Sequence, residues 1–135
     1  MTRKHILPLT YLPKIPAVLE GRCTQTIRTG REFQVGDLVM FHGWEGRPYR
    51  SKWDFRTPYW EIIVVHPCVI LEDGIDDLKF QGEIGFWYWD ELNQLAELDG
   101  IDPPTGEELG RVLMSMHQIP ERGLPAQIIR WRWTP

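Results

Sequence analysis

The hydrophobic pattern of this chain changes period once, and that change restricts the folds open to it. Up to about residue 71 the apolar residues come in short alternating or β-branched runs, as strands require. "HILPLTY" (5–11) reads as a short strand, and "TQTIR" (24–28) alternates. "VGDLVMFHG" (35–43) sets a Gly-Asp turn before an apolar strand. "PYWEIIVVHPCVIL" (58–71) is a long β-branched run, expected to break or bend near Pro67. One short helix interrupts the series: "LPKIPAVLEG" (12–21), with Pro13 and Pro16 near its start and Gly21 as its stop. Helical spacing then takes over. Tyr88, Leu92 and Leu95 repeat at i, i+4 and i+7, and Gly100 can end that helix. In "TGEELGRVLMSMH" (105–117), Thr105 and Glu108 have capping-box spacing, and Leu109, Val112, Leu113 and Met116 share a face that reads as core packing. "AQIIRWRWT" (126–134) returns to alternation, with Ile129, Trp131 and Trp133 on one side and Ile128, Arg130 and Arg132 on the other.

Strands early, helices late and a closing strand fit an α+β fold: a small β-barrel with helices packed on one side, not a doubly wound sheet. The 135 residues suit one domain, 1–135, large enough to bury a core without staples. Two cysteines make no disulfide framework and suggest a reducing compartment. The basic start "MTRKH" is followed by no apolar run of signal-peptide or membrane-spanning length, so a cytoplasmic protein without a membrane partner is expected. The net charge of −4 is unevenly spread. Residues 1–60 carry +5 and residues 61–135 carry −9, so one face can be basic on an acidic protein.

Several patterns carry little chemistry. No Gly-rich phosphate loop follows a strand, which argues against P-loop or dinucleotide cofactors. His66 and Cys68 in "HPC" lack the partners a zinc site needs, and "EDGIDD" (72–77) lacks the EF-hand spacing, so no metal and no cofactor are expected. "FWYW" (86–89) reads as an anchor of the following helix, or a stacking platform if one ring is exposed.

Two stretches do carry chemistry. "LEGRCTQTIRTG" (19–30) passes from a helix end through Gly21 into a polar strand, where Thr24, Thr26 and Arg28 share one side and Ile27 faces the core. Two hydroxyls beside a guanidinium suit a carbonyl or phosphate oxygen, although β-prone threonines also fill ordinary exposed strands. "HGWEGRPYRSKWDFRTPYW" (42–60) interleaves Arg47, Arg50, Lys52 and Arg56 with Trp44, Tyr49, Trp53 and other rings. Cations hold phosphates and rings stack bases at about 1–3 kcal/mol each, so this loop suits a nucleic-acid or nucleotide ligand. It equally suits a long loop whose rings pack onto the core.

"LEGRCTQTIR" followed by "FQVGDLVMF" resembles the signature of ASCH-domain proteins, members of the PUA-like barrels. Leu19, Gly21, Thr24, Thr26, Arg28, Gly36 and Asp37 carry the resemblance, and "LAELDGIDPPTGEELGRVL" (95–113) is similar to a later family feature with Asp99 as its carboxylate. The resemblance implies a barrel with a cleft beside the helices that binds RNA or a nucleoside- or nucleotide-like ligand. In it Arg22 and Arg28 would engage phosphate or carbonyl oxygens, Thr26 the base or acyl group, and Trp44, Tyr49 or Trp53 would stack the base. One ASCH branch is an amidohydrolase of N4-acetylcytidine and uses a lysine, a threonine and an acid. The threonine falls on Thr26 and the acid on Asp99, but the lysine position holds Cys23. A thiol, with an ordinary pKa of about 8.5, replaces such a base poorly, though Arg22 and Arg28 would favour Cys23 as a thiolate nucleophile. The expected function is therefore ligand binding. An amidohydrolase and a protein-interaction module with aromatic hot spots are the alternatives.

Overall fold

The structure, a computed structural model, describes the chain except residues 1, 45, 46, 48, 49, 73–77, 83, 84, 87 and 88; of residues 72, 78–82, 85, 86 and 89–91 it describes the backbone alone. The elements run β1 (Lys4–Pro8), α1 (Lys14–Leu19), β2 (Gln25–Arg28), β3 (Leu38–Trp44), β4 (Trp53–Arg56), β5 (Trp60–Glu72), β6 (Leu78–Gly82), β7 (Gly85–Phe86), α2 (Trp89–Leu98), α3 (Gly106–Met116) and β8 (Leu124–Trp131). This is a mixed α+β fold in which strands come early and two helices late.

The thirteen-residue β5 is the spine. One edge pairs antiparallel with β8, which carries β2 on its far side. The other edge pairs with β3 at its start and with β6 at its end. Pro67 does not break the strand. It lies between the β3 and β6 pairings, where β5 is paired on one edge only, so its missing N–H disturbs no second ladder. The irregularity falls between Ile62 and Val64 instead.

The sheet ends with β1, parallel to β3, on one side and with β2 on the other. Among the described residues no ladder joins β1 to β2, so the expected closed barrel is not formed. Helix α1 crosses between these strands, and the gap they leave is bridged by side chains.

Two apolar clusters flank the β2–β8–β5 layer. On one side Ile27, Ile70 and Ile128 pack with Leu92, Leu95, Leu109 and Leu113 of α2 and α3. On the other, Phe41, Trp60, Ile129 and Trp131 pack with Ala17 and Val18 of α1. Neighbouring Ile128 and Ile129 point to opposite faces, so β8 is buried on both, as the alternating pattern requires of a central strand. The N-cap of α3 is half of the expected box. Thr105 Oγ1 accepts from Glu108 N at 3.1 Å, but the Glu108 carboxylate turns to Arg111 and does not reach back.

Candidate functional site

The gap between β1 and β2 is where the chemistry collects. A cavity of about 360 Å³ opens there, lined by Pro8 of β1 and the residues up to Tyr11, by Thr26–Arg28 of β2 with Thr29 after it, by Asp99 and by one face of α3. At its floor Lys14 Nζ donates to Thr26 Oγ1 at 2.9 Å and to Asp99 Oδ2 at 3.0 Å. Arg28 Nε donates to the same Thr26 Oγ1 at 3.3 Å, and Arg28 Nη2 reaches across the seam to the Pro8 carbonyl at 2.8 Å. Lys14, Thr26 and Asp99 are all buried, at 5 %, 2 % and 5 % exposure. A lysine and an aspartate held this deep are costly unless paired.

Local sequence explains each placement. Lys14, Ala17 and Val18 stand at i, i+3 and i+4, so the lysine lies on the buried stripe of α1. Thr26 and Arg28 alternate to the cleft side of β2 while Ile27 enters the core. Asp99 is the C-cap of α2. Ile101 N bonds Ala96 O and Gly100 N bonds Glu97 O, a Schellman closure that needs the positive φ of Gly100, 73°. A side chain at Gly100 would also meet Cys23 Sγ and Lys14 Cγ, each at 3.3 Å, so this glycine makes room for the lysine stem.

The electrostatics of the cluster are unbalanced. Burial pushes the Asp99 carboxyl above its ordinary range, and the Lys14 ammonium only partly opposes that. A helix C-terminus, which carries partial negative charge, is also an unfavourable place for a carboxylate. Asp99 Oδ1 has no hydrogen-bond partner. Burial, and secondarily the charge of Arg28, lowers the pKa of His117 at the end of α3, which lines the cavity as a neutral imidazole.

Of the residues singled out from sequence, Thr26, Arg28 and Asp99 meet at this cavity. Cys23 does not line it. Its thiol is 1 % exposed, donates to the carbonyls of Gln25 and Leu98 at 3.3 and 3.4 Å, and is pushed up in pKa by burial. That environment makes Cys23 an unreactive packing residue rather than a nucleophile. Arg22 lies on the surface against Glu20 at 2.7 Å, and half-buried Thr24 precedes β2 outside the cavity lining. Trp53 stacks on His42 at 4.1 Å, with Trp44 edge-on at 4.8 Å. Those rings flank β3 and do not line the cavity. Tyr49, like most of "EDGIDD" and the centre of "FWYW", lies outside the described residues. Among the described residues no His, Cys, Asp and Glu cluster could hold a metal ion. Among the described residues no helix is long and apolar enough to cross a membrane.

The residue that sequence reasoning missed is Lys14. Position 23 holds no amine, but Lys14 of the preceding helix places one against Thr26. A signal existed, a lysine on the apolar stripe of α1, but only folding shows that its amine meets Thr26. Comparison of the chain with family models, with curated proteins and with solved structures finds no match.

Proposed function

We propose that this protein is an amidohydrolase that cleaves the amide of a small N-acylated, nucleoside-like compound, with Thr26 as nucleophile. The observation that carries the reading is the Lys14 amine within hydrogen-bond reach of both the Thr26 hydroxyl and the Asp99 carboxyl, at the floor of a cavity large enough for such a ligand. It removes the main objection from sequence, the lack of a base beside Thr26. The resemblance to the ASCH branch supports the choice of substrate, with N4-acetylcytidine as its simplest member. A PUA-like arrangement of the open sheet belongs to the same proposal.

The steps follow from the positions. Burial raises the Asp99 carboxyl, so with water expelled it can hold the proton of its hydrogen bond to Lys14. The amine takes the Thr26 proton as Oγ1 attacks the acyl carbon. The carbonyl oxygen becomes an oxyanion, which the Arg28 guanidinium beside Oγ1 can stabilise. Lys14 passes its proton to the departing nitrogen and the C–N bond breaks, leaving an ester on Thr26. Water, activated by the same amine, hydrolyses that ester to free acid and restores the hydroxyl. Ile101, Val112, Leu113 and Met116 line the cavity with apolar surface, and His117 offers a neutral hydrogen-bonding group to the base.

The test is release of cytidine and acetate from N4-acetylcytidine, followed by chromatography. Wild type should turn over, and Thr26→Ala should lose at least about a hundredfold, the usual worth of a positioned catalytic group. Turnover undiminished in Thr26→Ala would refute the assignment. A second reading, nucleotide or RNA binding without chemistry, is favoured by the exposed run of Arg50, Lys52, Trp53 and Arg56. Binding of a short RNA that weakens steeply with salt, without hydrolysis, would establish it instead.

A further inference from the structure

The two edges of β2 are used differently. In an antiparallel pair, successive residues point their N–H and C=O groups alternately at the partner strand and away from it. Trp131 N donates to Thr24 O at 3.1 Å, which sets the phase of the β2–β8 ladder. With Thr26 opposite Ile129 and Arg28 opposite Gln127, the backbone groups of Thr24, Thr26 and Arg28 turn to β8. Those of Gln25 and Ile27 turn to the other edge. Two further bonds agree with this phase. The Gln25 carbonyl accepts from Cys23 Sγ at 3.3 Å, on the side of α1. Arg132 N, one residue on from Trp131, donates to Glu61 O of β5 at 2.9 Å. Among the described residues no strand pairs with the outer edge of β2, and nothing accepts from the Ile27 N–H. Ile27 is a buried residue that lines the cavity. A backbone donor that opens into a cavity instead of a ladder is available to a ligand.

We propose that the Ile27 N–H is an oxyanion donor of the Thr26 site, a catalytic group supplied by the backbone. It belongs to the residue after the nucleophile, a position from which a backbone N–H can reach the oxygen formed when a hydroxyl attacks a carbonyl. This rests on the hydrolase reading. As Thr26 Oγ1 bonds the acyl carbon, the π pair of the C=O bond moves onto its oxygen and the negative charge gathers there. The Ile27 N–H and the Arg28 guanidinium then meet that charge from one edge, since Arg28 reaches from β2 across the same seam to the Pro8 carbonyl at 2.8 Å. When the C–N bond breaks, the pair returns to the carbonyl bond. The N–H is fixed by the strand and needs no reorganisation during the step, which is what makes such a donor effective. The open edge thus has two uses. It leaves room for the Lys14 side chain, and it frees beside the hydroxyl a donor that a closed barrel would have tied into a ladder.

The experiment replaces Ile27 with its 2-hydroxy acid, an ester that exchanges the N–H for oxygen and keeps the side chain, and compares it with Ile27→Pro and Ile27→Ala. Proline removes the same N–H, which the β8 ladder does not use, but keeps the amide carbonyl of Thr26. The ester and the proline variant therefore share the lost N–H and little else. On N4-acetylcytidine both should lose about a hundredfold or more in kcat with KM little changed, the usual worth of one oxyanion donor. Ile27→Ala, which trims the side chain and keeps the N–H, should lose far less. Should Ile27→Pro fail to fold, the ester carries the test. Turnover kept in the folded ester, or a change in KM alone, overturns the proposal. A wild type that does not turn the compound over fails the hydrolase reading, and the proton resonance of the Ile27 amide then decides the donor assignment. A downfield shift on adding N4-acetylcytidine keeps it, as for an amide that gains a carbonyl acceptor, and an unmoved resonance overturns it.

Discussion

His5–Asp37 and Lys14–Asp99 each set a side-chain nitrogen against a carboxyl group, at 2.9 and 3.0 Å, and both are withdrawn from solvent. Around Asp37 every demand is met. Oδ2 takes the His5 ring nitrogen and Gln34 N, and Oδ1 takes Arg3 N. Burial pushes that carboxyl up, but the His5 bond and the two backbone N–H groups outweigh it, and the net shift is downward. Around Asp99 only Oδ2 is served, the helix end behind it is the wrong pole, and the net shift is upward. The first pair closes the turn at Gly36 against β1 and leaves nothing reactive. The second is under-satisfied, shares its lysine with a hydroxyl and faces a cavity. A saturated carboxylate makes a buried pair a structural clamp, whereas an under-satisfied one beside a cavity suits the chemistry proposed for Thr26.

Lys14→Met should break the contrast most. Hydrolysis should fall about a thousandfold, as expected for loss of a general base. Denaturant melts should show a loss of about 3–5 kcal/mol at neutral pH, because a buried carboxylate is left alone. That loss should shrink as pH falls through the raised Asp99 pKa, below which the carboxyl holds its proton and needs no partner. A deficit unchanged across that range would place the variant's damage in packing instead.

Asp37→Asn should cost about 2–3 kcal/mol at neutral pH through its charged hydrogen bonds, yet leave turnover near wild type. The signs of the two carboxylates differ. Asp37 has a depressed folded pKa, so its stabilisation is present above the ordinary aspartate value and vanishes as pH falls through the depressed one. Asp99 has a raised folded pKa, so what it contributes is complete below the ordinary value and lost as pH rises through the raised one. A stability–pH curve of Asp37→Asn should therefore have a flatter acid limb than wild type. An unchanged acid limb would deny Asp37 its role.

Gly100→Ala should lose about 1–2 kcal/mol, since alanine is strained at φ 73° and would press on the Lys14 stem. Its turnover should fall further than a stability loss of that size explains, measured on the folded fraction. Cys23→Ala is the mildest change: about 1 kcal/mol or less, full turnover, and no reaction of the native Cys23 thiol with a thiol reagent. Rapid modification of Cys23 in folded protein would restore it as a candidate nucleophile.

The sequence by itself determined most of the elements, but not β4, which lies in the stretch at 42–60 read as a loop, nor β6 and β7. Alternation in "TQTIR" and "AQIIRWRWT", the β-branched run at 58–71 and the helical spacing at 105–117 are local physics, set by which face of a strand or helix must be buried. It also located Thr26 and Arg28, because a strand puts i and i+2 on one side, whereas Asp99 came from the resemblance, as the carboxylate just before Gly100. Tertiary structure alone decided which amine serves Thr26. Lys14 and Cys23 flank the same corner in sequence, and nothing in their order says that the helix turns the first inward onto Asp99, 85 residues away, while the thiol packs behind it. It also decided that β1 and β2 stay unpaired. A ladder there would have filled with backbone hydrogen bonds the gap that now holds the lysine, the hydroxyl and the carboxylate. Local periodicity fixes what a segment buries; which buried groups meet depends on contacts between distant segments, and those form only when the sheet assembles.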